Sequence, residues 1–290
     1  MIFKKQKKGM ILIFTLGLLF CFVIMPLLFV RLESKRVQFE RKIGDMQFNA
    51  IDTYQEADGV LFYIDESARY AAHQAIFDLG LKGGHTEPCE EYQGYALWVN
   101  GYEECYPEPK KALPVFVESY FNEYLAAYPS TLSNDYDFLV KQENKLNIIG
   151  VAAINLNFEN DNETYSSKYS IKPSFKAVID YNINDYDVLK QVSKDMVNYV
   201  RDCEAEKALS LCVSEAKAIA NGRIRANGME FVAESECRAI TLKGESRIYG
   251  FCAKSNKEVI AYESVQGRTE FFPVVIKFAI KFPRTITAAT

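Results

Sequence analysis

The sequence predicts an α+β fold in which a transmembrane helix continues as a stalk helix into an extracytoplasmic domain of antiparallel sheets and helices. Three observations predict it: an uncharged apolar segment near the N-terminus, a helical period after that segment, and alternating strand patterns in the second half. The chain of 290 residues is 49% hydrophobic and 25% charged. These values are typical of globular proteins and exclude a disordered or fibrous chain.

The apolar segment spans residues 9–30, GMILIFTLGLLFCFVIMPLLFV, and contains no charged side chain. At about 1.5 Å per residue, a helix of this length crosses the hydrocarbon core of a bilayer, which is about 30 Å thick. The segment ends in PLLFVRLE, without the small residues of a signal-peptide cleavage site, so we expect an anchor that stays in place. The lipid bilayer is therefore a predicted partner, and Cys21 is expected to be a lipid-facing or packed thiol.

The charge distribution is asymmetric. Residues 1–42 carry nine Lys/Arg and two Glu, a net charge of +7, so the other 248 residues carry −11. An acidic body argues against nucleic-acid binding, which needs a basic face. Four lysines in residues 1–8 favour a cytoplasmic basic head, although the basic residues just after the apolar segment weaken this signal. We expect a single-pass protein of the cell membrane with its N-terminus in the cytoplasm.

Residues 31–81 are predicted to form a stalk and docking helix. The first part, up to residue 56, is strongly polar, whereas apolar residues recur every three or four positions after it. These residues are Leu61, Ile64, Ala68, Ala71, Ala75 and Leu79. Gly80, Gly83 and Gly84 then predict the end of the helix.

Residues 82–290 are predicted to form the extracytoplasmic α+β domain. Residues 89–109 are interpreted as a cysteine-bounded hairpin or loop, and Pro114 is expected to open a helix to about Ala127. The apolar parity changes within residues 146–158, which predicts a strand with a bulge near Ala152–Ala153. The polar link ENDNET is expected to join this strand to the alternating segment 165–181 as a hairpin.

Two helices and a group of strands are expected to complete this domain. Asp185 can cap the first helix, and the second is expected to stop at Asn221–Gly222. The strongest strand pattern comes last, in residues 272–282, and Pro283 is expected to end it.

Six cysteines lie outside the apolar segment, and an even number beyond a membrane anchor favours disulfides. They are Cys89, Cys105, Cys203, Cys212, Cys237 and Cys252. Cys89–Cys105 is the expected local pair. If residues 187–220 form one straight helix, Cys203 and Cys212 lie about 13 Å apart, too far to bridge, and would pair with the sheet cysteines. If that helix breaks near Glu204, Cys203 can pair with Cys212. We favour the pairing of helix to sheet.

The sequence gives little sign of catalysis. Nucleotide-binding glycine loops, the G-x-S-x-G motif and the H-E-x-x-H motif are all absent, so no catalytic, cofactor or metal residue is predicted. His73 could pair with Glu66, but a histidine on a helix surface is the simpler interpretation. Asn162 begins a glycosylation sequon at the expected hairpin tip.

The N-terminal run KKQKKGMILIFTLGLL resembles the class III signal of type IV pilin-like proteins, especially archaeal ones. The resemblance implies cleavage by a membrane peptidase after the Lys8–Gly9 pair, with Met10 as the new N-terminus. The continuing long helix is similar to that of tight-adherence minor pseudopilins. One position departs from the pattern, because many pilins carry Glu five residues into the mature chain, where this sequence has Phe14.

Two functions are compatible with these observations. The first is a non-enzymatic, membrane-anchored protein of surface assembly or adhesion. The N-terminal resemblance implies a pilin-like form of this role, in which the protein associates with itself or with pilin-like subunits through its N-terminal helix. The alternative is a membrane-tethered ligand-binding domain or envelope enzyme whose site is assembled from scattered residues. A deep pocket with converging polar groups would favour the alternative, and an exposed apolar patch would favour assembly.

Overall fold

The computed structural model describes residues 3–129, 132–161, 166–233, 247–263 and 268–283. The fold is mixed α+β, with a long N-terminal helix that is apolar in its first part and with mainly antiparallel sheets. The chain divides into two compact units. The first contains residues 1–59 and 157–170, and the second contains residues 60–156 and 171–290.

Four helices occur in the described part of the chain: α1 (Phe3–Leu81), α2 (Pro109–Ala126), α3 (Asp185–Cys203) and α4 (Leu209–Arg225). α1 ends where predicted, since Gly83 and Gly84 adopt positive φ angles that favour glycine. α2 begins at Pro109 rather than at Pro114, because Pro109 already supplies the fixed φ suited to a first turn. α4 continues past Gly222, and the chain turns only at Gly228, where φ is +74°.

The described strands form three sheets. Sheet A has the order β1-β2-β11-β10-β9, with β3 beside β2; its strands are β1 (Glu91–Tyr92), β2 (Tyr95–Asn100), β3 (Glu103–Glu104), β9 (Met229–Phe231), β10 (Ile248–Glu263) and β11 (Arg268–Lys281). Sheet B has the order β4-β5-β8, from β4 (Tyr136–Gln142), β5 (Leu146–Ala152) and β8 (Ser174–Ile179). The third sheet pairs β6 (Leu156–Asp161) with β7 (Ser166–Ile171). The pairing of β2 with β11 is parallel, which the sequence did not predict.

The predicted strand 146–158 is two strands. Its change of parity arises because the chain leaves sheet B after Ala152, so that β6 pairs with β7 instead of continuing β5 through a bulge. The predicted pairing across the ENDNET link is present as the β6–β7 sheet, while residues 162–164 of this link lie outside the described residues.

In the first unit, the β6–β7 sheet packs beside α1 through polar contacts. Asn49 Nδ2 donates to the carbonyl of Asn160 at 3.2 Å, and Ser167 Oγ donates to Asn49 Oδ1 at 3.2 Å. Thr53 Oγ1 also bonds Ser167. Asn49 and Thr53 are buried by this packing, and buried polar side chains of this kind are stabilised by their hydrogen bonds.

In the second unit, a large hydrophobic core joins the end of α1 to sheets A and B and the other three helices. Alanines at the predicted helical spacing allow α1 to approach the sheet closely, and a Cβ at Gly80 would lie only 2.6 Å from the carbonyl oxygen of Val275. The ring of Trp98 stacks on Phe278 at 4.1 Å. As predicted, the alternating apolar positions of β11 are buried: Phe272, Val274, Ile276, Phe278 and Ile280.

Candidate interaction surfaces

One candidate site is a groove of about 600 Å³ in the second unit, which we name the tyrosine groove. It lies between α1, the C-terminal end of α2 and the distal half of the β10–β11 hairpin. Its walls carry Tyr63, Glu66, Ser67, Tyr70, Gln74, Tyr124, Ala127, Ile260, Ala261, Tyr262 and Thr269. Its volume falls within the range of small-molecule sites in proteins.

Helical and strand periodicity bring these side chains together. The residues from α1 lie at positions i, i+3, i+4, i+7 and i+11 counted from Tyr63, so they share one face of the helix. On the sheet side, Tyr262 pairs with Thr269 across β10 and β11, so their side chains project from the same face. Tyr124 lies in the last turn of α2.

Hydrogen bonds fix the floor of the tyrosine groove. Tyr63 Oη donates to the carbonyl of Tyr124 at 2.6 Å, and the ring of Tyr63 lies 4.6 Å from that of Tyr128. Gln74 binds the backbone of Tyr262, because its Oε1 accepts from the N–H at 2.7 Å and its Nε2 donates to the carbonyl at 3.5 Å. These contacts hold α1, α2 and β10 in a fixed arrangement around the groove.

The charged group on the groove wall is already paired. Glu66 Oε2 accepts from Arg69 at 2.9 Å, and the guanidinium of Arg69 lies 5.4 Å from the ring centre of Tyr70. Burial raises the pKa of Tyr124, with a smaller contribution from the charge of Glu123, so its phenol is neutral at physiological pH. The groove therefore presents phenol rings and hydroxyls with little net charge.

A second surface is the outer face of sheet B, which we name the sheet B patch: Leu139, Ile149, Val151 and Val178. The strand register places Leu139 beside Ile149, and Ile149 beside Lys176, on one face. Leu139 and Val178 are each 49% exposed. A groove of about 670 Å³ separates this face from Asp65, Glu66 and Arg69 of α1.

The third surface is the apolar part of α1. It is the one helix, among the described residues, that is long and apolar enough to cross a membrane. Its large side chains from Ile13 to Val30 are exposed, from 37% for Ile24 to 74% for Ile13. Nothing in the described part of the chain covers this stretch.

The comparisons with known proteins leave the family open. The chain matches no family model, and no similar curated protein or solved structure is found.

The two histidines have separate environments. The Nδ1 atom of His73 accepts a hydrogen bond from the backbone N–H of Ile260 at 3.3 Å, while Glu66 pairs with Arg69, so no His73–Glu66 pair forms. Burial, assisted by the charge of Arg69, lowers the pKa of His73 to about 4. His85 lies in the loop after α1, as expected, but it is buried, and burial lowers its pKa.

The cysteines agree with the prediction in one pair and differ in another. Cys89 and Cys105 form a disulfide with Cα atoms 6.2 Å apart, which is the expected local pair. Cys203 and Cys212 form a second disulfide, so the favoured pairing of helix to sheet is wrong for them. The reason is that α3 ends at Cys203 and α4 begins at Leu209, which brings their Cα atoms to 5.8 Å.

The remaining predicted site residues lie in sheet A, at the start of α1 or outside the described residues. Cys252 is disulfide-bonded and buried in sheet A, while Cys237 lies outside the described residues. Asn162 also lies outside them. Lys8, Gly9 and Met10 belong to the first turns of α1. In the described chain, no group of three or more His, Cys, Asp or Glu is placed to hold a metal ion.

Sequence reasoning did not find the tyrosine groove. The signal that could have found part of it is the i, i+7 spacing of Tyr63 and Tyr70 on the otherwise alanine-rich docking helix. Its other walls come from residues 124–127 and 260–269, and only the tertiary fold brings these segments beside α1.

Proposed function

We propose that this chain is a single-pass, membrane-anchored extracytoplasmic protein with a non-enzymatic role in surface assembly or adhesion. The observation that carries the proposal is the exposed apolar stretch of α1 from Ile13 to Val30. A run of exposed large apolar side chains on one helix is unfavourable in water, at about 25 cal/mol for each Å². Lipid, or a bundle of like helices, removes that cost.

The sidedness of the proposal rests on charge and on disulfides. The lysines before the apolar stretch favour a head that stays in the cytoplasm. Two disulfides in the second unit, Cys89–Cys105 and Cys203–Cys212, fit an oxidising compartment on the other side.

A pilin-like route is part of the same proposal. Cleavage after Gly9 would remove four lysines, each of which costs about 2.5–3.5 kcal/mol at the centre of a membrane helix. The remaining helix, beginning at Met10, could then leave the bilayer and pack against like helices. Partners would be further copies of this chain or other pilin-like subunits.

Two further observations support assembly rather than catalysis. The Nδ1 atom of His73 is engaged by backbone, and Glu66 is engaged by Arg69, so neither is poised as an acid–base pair. The sheet B patch exposes apolar side chains of the kind that form contacts between subunits.

The experiment is N-terminal sequencing of the protein purified from its native membranes, together with protease digestion of intact cells. We expect detergent, but not alkaline carbonate, to extract the protein from the membrane. Protease added to intact cells should digest the part of the chain that follows the apolar stretch, and the purified protein should begin at Met10. Gly9→Leu should block cleavage. Gly17→Leu is the matched control in the same helix, because a Cβ there meets nothing within 4 Å. An intact Met1 in the wild type would remove the pilin-like route, and a body digested only from the cytosolic side would overturn the sidedness.

A second candidate function is ligand binding by a membrane-tethered domain. The tyrosine groove favours it, because it combines a volume suited to a small molecule with aromatic and hydroxyl-bearing walls.

A further inference from the structure

Ser67 places a hydroxyl group in the tyrosine groove. Its side chain lines the groove and forms no side-chain hydrogen bond in the described part of the chain. Only 5% of the residue surface is exposed, but the hydroxyl oxygen keeps contact with solvent in the groove. A ligand that displaces this solvent must hydrogen-bond to Ser67, because leaving the covered hydroxyl unpaired would cost about 1–3 kcal/mol.

The aromatic walls have two distinct roles. Tyr63 is immobilised by its bond to the Tyr124 carbonyl and by its contact with Tyr128, so it serves as a fixed floor. Tyr70 and Tyr262 are 40% and 52% exposed, so their rings are open to contact from solvent. A phenol ring offers a flat apolar face with a polar tip, which suits ligands that are apolar on one face and polar at their edges.

Charge narrows the class of ligand. The lining residues include no lysine or arginine, and their one carboxylate, Glu66, is paired with Arg69. A phosphate or sulfate would therefore meet no cation on the lining and would face an acidic body. A purely apolar ligand would leave the Ser67 hydroxyl and the tyrosine hydroxyls without partners.

We propose that the tyrosine groove binds a neutral carbohydrate, with a sugar ring against Tyr70 or Tyr262 and a sugar hydroxyl bonded to Ser67. The proposal goes beyond anchoring and assembly and does not depend on them, since every residue of the groove belongs to the second unit. Thr269, which pairs with Tyr262, adds a further hydroxyl on the same wall.

The test is saturation-transfer NMR and isothermal titration on the full chain in a zwitterionic detergent, because glycoside detergents would compete for the groove. The probes are maltotriose, cellotriose, chitotriose and a sulfated heparin disaccharide. We expect at least one neutral trisaccharide to bind and the sulfated disaccharide not to bind. Tyr262→Ala and Tyr70→Ala should each weaken binding about tenfold, and Ser67→Ala should weaken it several-fold.

Tyr102→Ala is the matched control, because Tyr102 is 73% exposed in the turn between β2 and β3 and lies outside the groove. It should bind as the wild type does. Thermal unfolding of each variant separates lost binding from lost folding, and the exposed positions Tyr70 and Tyr262 are expected to unfold near the wild-type temperature. The proposal is overturned if no neutral trisaccharide binds at millimolar concentration, if the sulfated disaccharide binds better, or if Tyr262→Ala binds unchanged. None of these results bears on membrane anchoring or cleavage after Gly9.

Discussion

The Nδ1 atom of His73 accepts a hydrogen bond from the backbone N–H of Ile260 at 3.3 Å, which ties α1 to β10 of sheet A. Gln74, the next residue, binds both the N–H and the carbonyl of Tyr262. Two neighbouring side chains of a helix thus satisfy backbone groups along β10, in the stretch beyond its pairing with β9.

This geometry predicts a loss of stability in acid. The pKa of His73 is lowered from 6.5 to about 4, so between these values the unfolded chain binds more protons than the folded chain. The contribution of His73 is therefore complete above about pH 6.5 and is lost as the pH falls towards 4. We expect this loss to be about 1–2 kcal/mol after solvent screening, measured by urea unfolding at pH 7 and pH 4.5.

The control for this prediction is His73→Gln, whose amide oxygen can accept from Ile260 but does not titrate. It should show a smaller loss of stability between pH 7 and pH 4.5 than the wild type. An equal loss in both proteins would assign the acid sensitivity to other groups, of which His85 is one with a lowered pKa.

The second disulfide predicts a specific peptide map. Trypsin cleaves after Arg201, Lys207 and Lys217, so without reduction we expect residues 202–207 to remain linked to residues 208–217 through Cys203–Cys212. A link from either peptide to residues 248–254, which contain Cys252, would contradict this pairing. Because the bridge closes a short loop, Cys203→Ser with Cys212→Ser should lower the free energy of unfolding by about 2–3 kcal/mol.

The ion pair of Arg247 with Glu204 predicts a difference between partly buried and exposed charges. Arg247 makes two bonds to Glu204, at 2.6 and 2.7 Å, and also donates to the carbonyl of Phe282. Both side chains are more than 80% buried. Glu204→Gln should lower the free energy of unfolding by about 1–3 kcal/mol, because Arg247 then loses its counter-charge.

The matched control is the ion pair of Arg223 with Asp195, whose side chains are 59% and 37% exposed. Asp195→Asn should change the free energy of unfolding by less than about 1 kcal/mol, since solvent already screens this pair. Equal effects of the two substitutions in denaturant titrations would mean that burial does not govern the contribution of Glu204.

The sheet B patch gives a prediction for assembly. Leu139→Lys with Val178→Lys should leave the unfolding temperature nearly unchanged, because both side chains are half exposed. The same changes should reduce self-association measured by analytical ultracentrifugation. Lys141→Ala with Lys176→Ala, on the same face, is the control for an effect of charge alone and should not reduce it. Unchanged self-association in the double-lysine variant would exclude the patch as a contact.

Local patterns predicted much of the fold because their physical causes are local. The buried face of a helix or strand is predicted by the spacing of Ala68, Ala71 and Ala75 and by the alternation from Phe272 to Ile280. The glycines after Leu81 predict where α1 ends. The break between Cys203 and Leu209 carries no glycine or proline, so the sequence left open whether the helix continues there. The parity change at residue 153 was visible, but a bulge and a change of sheet produce the same pattern.

The candidate site was less predictable than the fold. Tyr124 and Tyr262 are far from Tyr63 in sequence, and each alone is indistinguishable from a surface tyrosine. The pairing of β2 with β11 could not be predicted either. The alternation of apolar residues along a strand indicates which face of the strand is buried, but not which other strand pairs with it. Tertiary contacts of this kind follow from the whole chain rather than from any window of it.

That parallel pairing has a consequence for biogenesis. Ala96 of β2 lies opposite Phe278 of β11, and Trp98 of β2 stacks on that same phenylalanine. During synthesis, β2 is therefore made long before β11, the strand that pairs with it in sheet A. The apolar residues of β2 stay uncovered on that side until β11 has been made. A polypeptide halted before residue 268 would leave Trp98 without this partner and is expected to be a substrate for quality-control proteases.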